Sequence, residues 1–204
     1  MHSWVRLTGG ALASDRARAF GAAGPGGGRS VWEWWRLQIF DPEFHCVAIY
    51  RLGQFAREVR ARNRTLGTLL IILHRVVNRF MTQIHHTEIS PQARIGPGLR
   101  LMHRHGVLIG PATIGRNCVL HHGVTIGERV AKGDHGVASI GNNVWIGPGV
   151  IITGAVHIGD GVTISAGSVL SKDIPDRCLV AGNPARILNA DHDNTDLLGF
   201  LPGT

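Results

Sequence analysis

From residue 89 to residue 174 a branched apolar residue returns every six positions, and a small or polar residue usually follows it. Units open at Ile114, Leu120, Ile140, Ile146, Ile152, Ile158, Ile164 and Leu170, and the same frame picks up Ile89, Ile95, Leu101 and Leu108 upstream. A short fixed period marks a solenoid, because each unit buries its apolar residue only by stacking on the next. Six residues are too few for a pair of helices. They suit one short strand and a corner, and three units close a triangular coil. The opening residue points inward, and the fifth (Ala93, Cys118, Val124, Val144, Val150, Val156 or Val162) is small enough to lie behind it. Glycine recurs at the corners, where tight turns call for backbone angles that a side chain penalises. The pattern predicts a mainly β protein built as a parallel β-helix, which in hexapeptide form is left-handed, against the usual crossover rule.

Two interruptions break the period. Leu101 to Leu108 is seven residues, one too many, and the extra residue falls around His103 and His105. Between Ile126 and Ile140 the step is fourteen, so residues 128–139 leave the coil as an excursion loop. Inserted residues in a solenoid map to loops that often form its binding face. Both interruptions contain histidine.

Upstream, apolar spacing turns helical. Val47, Tyr50, Leu52 and Phe55, then Leu69, Leu73, Val76, Val77, Phe80 and Met81, predict two or three helices within residues 31–86. Residues 1–30, rich in Gly and Ala, are expected to be disordered; the β-helix is expected over 87–188 and a tail over 189–204. No apolar run is long enough for a signal peptide or a membrane span, the longest, Leu69–Leu73, being stopped by His74 and Arg75. Cys46, Cys118 and Cys178 form no CxxC pair and are expected to be reduced thiols in a cytoplasmic protein.

The formal charge of +7 comes almost wholly from Arg, since Lys132 and Lys172 are the only lysines. Seven Arg lie between Arg51 and Arg79, with Glu58 as the sole acid. Such a segment is either a solvated helix face or a contact with an anionic partner or surface. No nucleic-acid reading motif accompanies it, and no nucleic-acid partner is expected.

The stretch Ile89–Gly98, then Leu101-Met-His103, His122–Gly127, Gly147-Pro-Gly149, and finally Ala166–Val169 and Ala181-Gly-Asn-Pro-Ala-Arg186, resembles the serine acetyltransferase family over about residues 42–188. The resemblance implies acetylation of a hydroxyl by acetyl-CoA in homotrimers whose sites lie in grooves between subunits. Helical domains pair such trimers into hexamers in that family, and the shortened segment here leaves the hexamer open. Acyl transfer to an alcohol needs a general base and donors for the oxyanion. His103, held out by the insertion, is the candidate base, its imidazole able to titrate near working pH. The resemblance assigns Glu88 to the family's Asp that orients this His. His103 and His122, each third in its unit, are expected at one corner of adjacent coils, about 4.8 Å apart. Imidazoles that close cannot both be charged cheaply, which favours a neutral one near pH 7. Asp134 and His135, in the excursion loop, take the family's substrate-side position. Gly127, Pro148, Gly149, Ala166 and Gly167 are implied along the pantetheine arm, and Lys172 and Arg186 at the CoA phosphates.

The acceptor divides the expectations. Paired His103 and His122 resemble the exopolysaccharide branch, of the colanic acid type, where serine acetyltransferases commonly carry Gln at the second place. Asp41-Pro42, matching the segment that meets serine, lies only two residues before Phe44-His45. A sugar-type or other small-molecule or glycan acceptor is therefore expected, with L-serine as the alternative. A metal lyase of the carbonic anhydrase type shares the fold. Its two His five apart are missing from His103, His105, His121, His122, His135 and His157, and no metal is expected.

Overall fold

A computed structural model describes residues 3–20, 41–128 and 136–199. Five turns of parallel strands wind into a three-faced prism. The first face stacks β1 (Glu88–Ile89), β4 (Leu108–Ile109), β7 (Thr125–Gly127), β10 (Ile151–Thr153) and β13 (Val169–Leu170). The second stacks β2 (Arg94–Ile95), β5 (Thr113–Ile114), β8 (Ser139–Ile140) and β11 (His157–Ile158). The third holds β3 (Arg100–Met102), β6 (Val119–His121), β9 (Trp145–Ile146), β12 (Thr163–Ile164) and β14 (Leu179–Gly182), and closes with antiparallel β15 (Ala185–Asn189). Leu101, Leu120, Ile146, Ile164 and Val180 stack in register down the third face, each buried, and the fifth-position residues from Ala93 to Val162 are buried behind the inward rows. Each such aliphatic side chain contributes about 1.5–3 kcal/mol by leaving water. Cys46, Cys118 and Cys178 are free and buried, and burial pushes the Cys118 thiol up to about 12.

The frame slips once. Ile109, not Leu108, faces inward: Ile109 pairs with Ile89 and Ile126 and is buried, while Leu108 is 47% exposed. The step from Leu101 to the next inward residue is thus eight, two more than the period, and the following step to Ile114 is five. The corner at His103 is wider than the period predicts, and the coil recovers most of the excess immediately. At the excursion, Ala138 is buried and Ser139 already belongs to β8, so the loop rejoins the coil two residues earlier than expected.

Helices precede the prism. α1 (Ser3–Phe20) runs where composition predicts disorder. Its hold is tertiary: the buried Asp15 carboxylate accepts from the N–H groups of Gly98 and Leu99 at 2.7 and 2.9 Å and pairs with Arg51 at 2.7 Å. α2 (Pro42–Arg62) begins on Asp41, whose Oδ1 accepts from the N–H groups of Glu43 and Phe44, with Pro42 at the first helical position. Asn63 alone separates it from α3 (Arg64–His85) and caps that helix through Leu66 N–H. The two helices touch closely, since a Cβ at Gly67 would collide with the Arg60 backbone and one at Gly53 would lie 2.6 Å from the His74 ring. Residues 31–40 of the expected helical segment lie outside the described residues.

The helices cap the open edge of the first coil. The Arg51 guanidinium donates to Ile95 and Gly96 carbonyls at 2.7 and 2.6 Å, and the Tyr50 hydroxyl donates to Ala93 and accepts from Ile95 N–H. Unpaired β2 groups that would otherwise template a foreign strand are thereby occupied. The expected tail folds back along the prism: Asn194 donates to the Asn143 carbonyl, and α4 (Thr195–Leu198) buries Leu198, whose carbonyl accepts from Arg18 of α1 at 2.5 Å.

Candidate active site

The corner between the third and first faces gathers the candidate residues. β3 and β6 pair Met102 with His121, so the next residues, His103 and His122, stand one above the other. Their ring centroids lie 6.0 Å apart, edge to face, and both side chains are exposed. His103 takes a left-handed backbone (φ 56), uncommon for a residue with a side chain, and the His105 N–H closes the turn on the His103 carbonyl at 2.7 Å. The eight-residue step supplies the chain for this turn. Main-chain hydrogen bonds carry the corner upward, from Gly123 N–H to His105, Gly149 N–H to His122 and Gly167 N–H to Pro148, each 2.8–2.9 Å.

Four of the residues implied for acetyl-CoA therefore share one ladder with the two histidines: Pro148, Gly149, Ala166 and Gly167. Gly149 and Gly167 have positive φ, and a Cβ on either would meet nothing within 4 Å, so the ladder borders an open face. Lys172 and Arg186 line one cleft of about 140 Å³ with Val169 and Pro184, just beyond the top of the ladder. Gly127 stands apart, at the end of β7 on the corner from which the excursion loop departs. Asp134 and His135 lie outside the described residues.

Glu88 is not joined to His103 by a hydrogen bond. It pairs across β1 with Leu108, is exposed, and lines a cleft against α2 and α3 with four arginines. The carboxylate that does reach the base is Glu43, whose Oε1 accepts from the His103 N–H at 2.7 Å. The contact spans sixty residues and holds the backbone of the left-handed turn rather than the imidazole. Linear spacing gives no sign of it; only the N-cap at Asp41, which sets Glu43 in the first turn of α2, hints at its direction. Asp41 and Glu43 also line a small cavity with Arg100 and Leu101 beside this corner.

Other imidazoles surround the pair. His121 packs against Trp145 at 4.8 Å, and its pKa is lowered by burial first, then by His103, His122 and Arg100. His85 accepts from Arg104 Nε at 2.8 Å through Nδ1, and burial followed by Arg104, His45 and His105 lowers its pKa. Both flanking rings are thus biased to the neutral form. Among the described residues no group of three or more His, Cys, Asp or Glu is placed to share a metal ion. No helix of the described residues is long and apolar enough to cross a membrane.

Residues 138–172 match the family described as bacterial transferase hexapeptide (six repeats). The chain is similar to serine acetyltransferase of Synechococcus elongatus, 31% identical over 72% of this chain and 57% of that protein. It is also similar to serine acetyltransferase of Helicobacter pylori, 30% identical over 77% of this chain and 87% of that one. Among solved structures, serine acetyltransferase from Brucella abortus in complex with coenzyme A superposes with a TM-score of 0.70 at 27% identity, covering 94% of this chain and 70% of that chain. The chain thus spans little more than half of the Synechococcus relative but most of the Helicobacter one, and its prism is the left-handed β-helix of these transferases.

Proposed function

Because the chain belongs to the serine acetyltransferase family, we propose that it moves the acetyl group of acetyl-CoA to a hydroxyl, and that the acceptor is L-serine. The observation that carries the reading is the single exposed ladder running from His103 and His122 through Pro148-Gly149 to Ala166-Gly167. His103 removes the hydroxyl proton as the oxygen attacks the thioester carbonyl. The tetrahedral oxyanion then collapses, the carbon–sulfur bond breaks, and the thiolate takes the proton from His103. His122 stands edge-on beside the base, its ring centroid 6.0 Å away. Pro148, Gly149, Ala166 and Gly167 take the pantetheine arm along a groove walled by a second copy in a trimer. Lys172 and Arg186 meet the CoA phosphates, and Gly127 borders the far corner.

Serine is preferred over the sugar-type acceptor that the paired histidines first suggest. Glu43 stands at the base corner and Asp41 lines the adjoining cavity, two carboxylates near which an acceptor ammonium finds a partner. The similarity to serine acetyltransferases supports the same choice. The His122 neighbour and the displaced Asp41-Pro42 segment are the features that favour a sugar hydroxyl. Glu88 orients the imidazole only if the assembled groove brings the two together, and Asp134 and His135 remain candidates for the acceptor side. Buried free thiols support a reducing, cytoplasmic setting. Thiol release from acetyl-CoA, followed with L-serine, homoserine, nucleotide-sugars and simple glycans, tests the reading. Turnover should be fastest with L-serine. Turnover with sugars alone would overturn the acceptor, and none with any hydroxyl would overturn the reaction.

A further inference from the structure

Between α2, α3 and the start of the prism lies an open cleft of about 420 Å³, within the range of small-ligand sites. Arg57 and Arg60 enter it from α2, and Arg75 and Arg79 from α3. Spacings of three and four bring each pair to one face of its helix, where like charges repel by a few tenths of a kcal/mol. Among the described residues none of the four forms an ion pair. Thr82 adds a hydroxyl to the wall, and among the described residues Glu88 is the only acid lining the cleft. His74 also lines it, with a pKa lowered first by burial and then by Arg57 and Arg75, so the positive charge rests on the guanidiniums.

We propose that this cleft binds a compact polyphosphate anion, a di- or triphosphate group, at a site separate from the acetyl-transfer groove. Guanidinium forks match phosphate oxygens in pairs, and four from two helices can surround two phosphoryl groups at once. A flat anionic surface fits less well. The apolar residues of α3 that a bilayer would take, Leu69, Leu73, Val76, Phe80 and Ile84, project from the side of the helix opposite Ile71, Asn78 and Thr82, which line the cleft. Phosphate presented on a lipid shares the chemistry, and the test separates the two sources.

Inorganic pyrophosphate and triphosphate are titrated calorimetrically into the full chain at about 0.15 M salt, where diffuse surface attraction is screened. Saturable binding is expected, undisturbed by saturating CoA. It should weaken at least tenfold in the double variant Arg57→Gln/Arg75→Gln and tighten in Glu88→Gln. Arg57 and Arg75 are exposed, so the double variant should keep its melting temperature and its rate of acetyl transfer. Absence of saturation, displacement by CoA, or indifference to the arginine variants would each overturn the site. In a second arm, co-sedimentation with phosphatidic acid vesicles that pyrophosphate competes away would assign the phosphate to a lipid. Vesicle binding that pyrophosphate leaves untouched would overturn the cleft as the recognition element.

Discussion

Two corners of the prism repeat the same main-chain ladder with opposite side chains. Between the second and third faces, Asn117, Asn143 and Arg177 take left-handed backbone, as His103 does at the other corner. Main-chain hydrogen bonds again climb coil to coil, from Asn117 N–H to Pro97, Asn143 N–H to Arg116, Gly161 N–H to Asn142 and Arg177 N–H to Asp160. Here the side chains add a second ladder: Arg116 N–H donates to Asn142, Asn142 N–H to Asp160, and Asp160 N–H to Asp176, all within 3.0 Å. A Cβ on Gly141 or Gly159 would collide with Asp160 or Asp176, and one on Gly161 would touch Arg177 at 3.6 Å. At the histidine corner the space beside Gly149 and Gly167 is empty. Asn is among the residues that tolerate left-handed backbone best, and its amide can satisfy a neighbouring coil. Where the chain spends the same backbone geometry on imidazole and bare glycine, it gives up those cross-links and gains an open, protonatable edge.

Substitutions at the two corners should therefore fail differently. His103→Ala should cut acetyl transfer by about 10²–10⁴-fold with an unchanged melting temperature; a folded variant with full activity would remove His103 from the mechanism. Gly149→Val should come next, raising KM for acetyl-CoA by at least an order of magnitude by filling the open face. It should also destabilise by about 1–2 kcal/mol, the cost of a left-handed residue with a side chain. Asn143→Ala should do the reverse, leaving kcat and KM alone while costing about 1–2 kcal/mol in a denaturant titration, because the hydrogen bond its Oδ1 accepts from Asn117 is lost. Loss of activity without loss of stability in that variant would collapse the distinction between the corners.

The smallest effect is a pH dependence confined to the histidine side. The folded-state pKa of His121 lies below its ordinary 6.5. The unfolded chain binds the proton more readily, so stability is full above pH 6.5 and falls as pH drops from there toward the folded value. His121→Gln should shallow that fall, measured as midpoint against pH between 5 and 7. Asn143→Ala should leave the slope untouched.

Much of this contrast is legible in the chain. A six-residue period leaves one inward position per unit, so Ile146, Ile152, Ile158 and Ile164 could point nowhere else. Where Val107, Leu108 and Ile109 run together, hydrophobicity cannot choose among them, and the inward residue is Ile109 because the corner absorbs two residues and the next unit returns one. α1 escapes composition because its hold depends on Asp15 meeting Arg51, thirty-six residues on. Glu43 escapes for the same reason, its partner being sixty residues away. Contacts that arise only through folding back carry no periodic signal.

The clasp of Asp15 and Arg51 bears on the order in which the molecule assembles. Neighbouring coils meet across sixteen to twenty-six residues of chain, so the prism can grow coil by coil once one turn exists. Asp15 reaches Gly98 and Leu99 across more than eighty residues, and that long loop must close before it is rewarded. The first coil thus waits longest for its cover. During that interval its bare edge is the surface most prone to recruiting a strand from another chain, which makes early arrival of α1 a safeguard on yield as much as a source of stability.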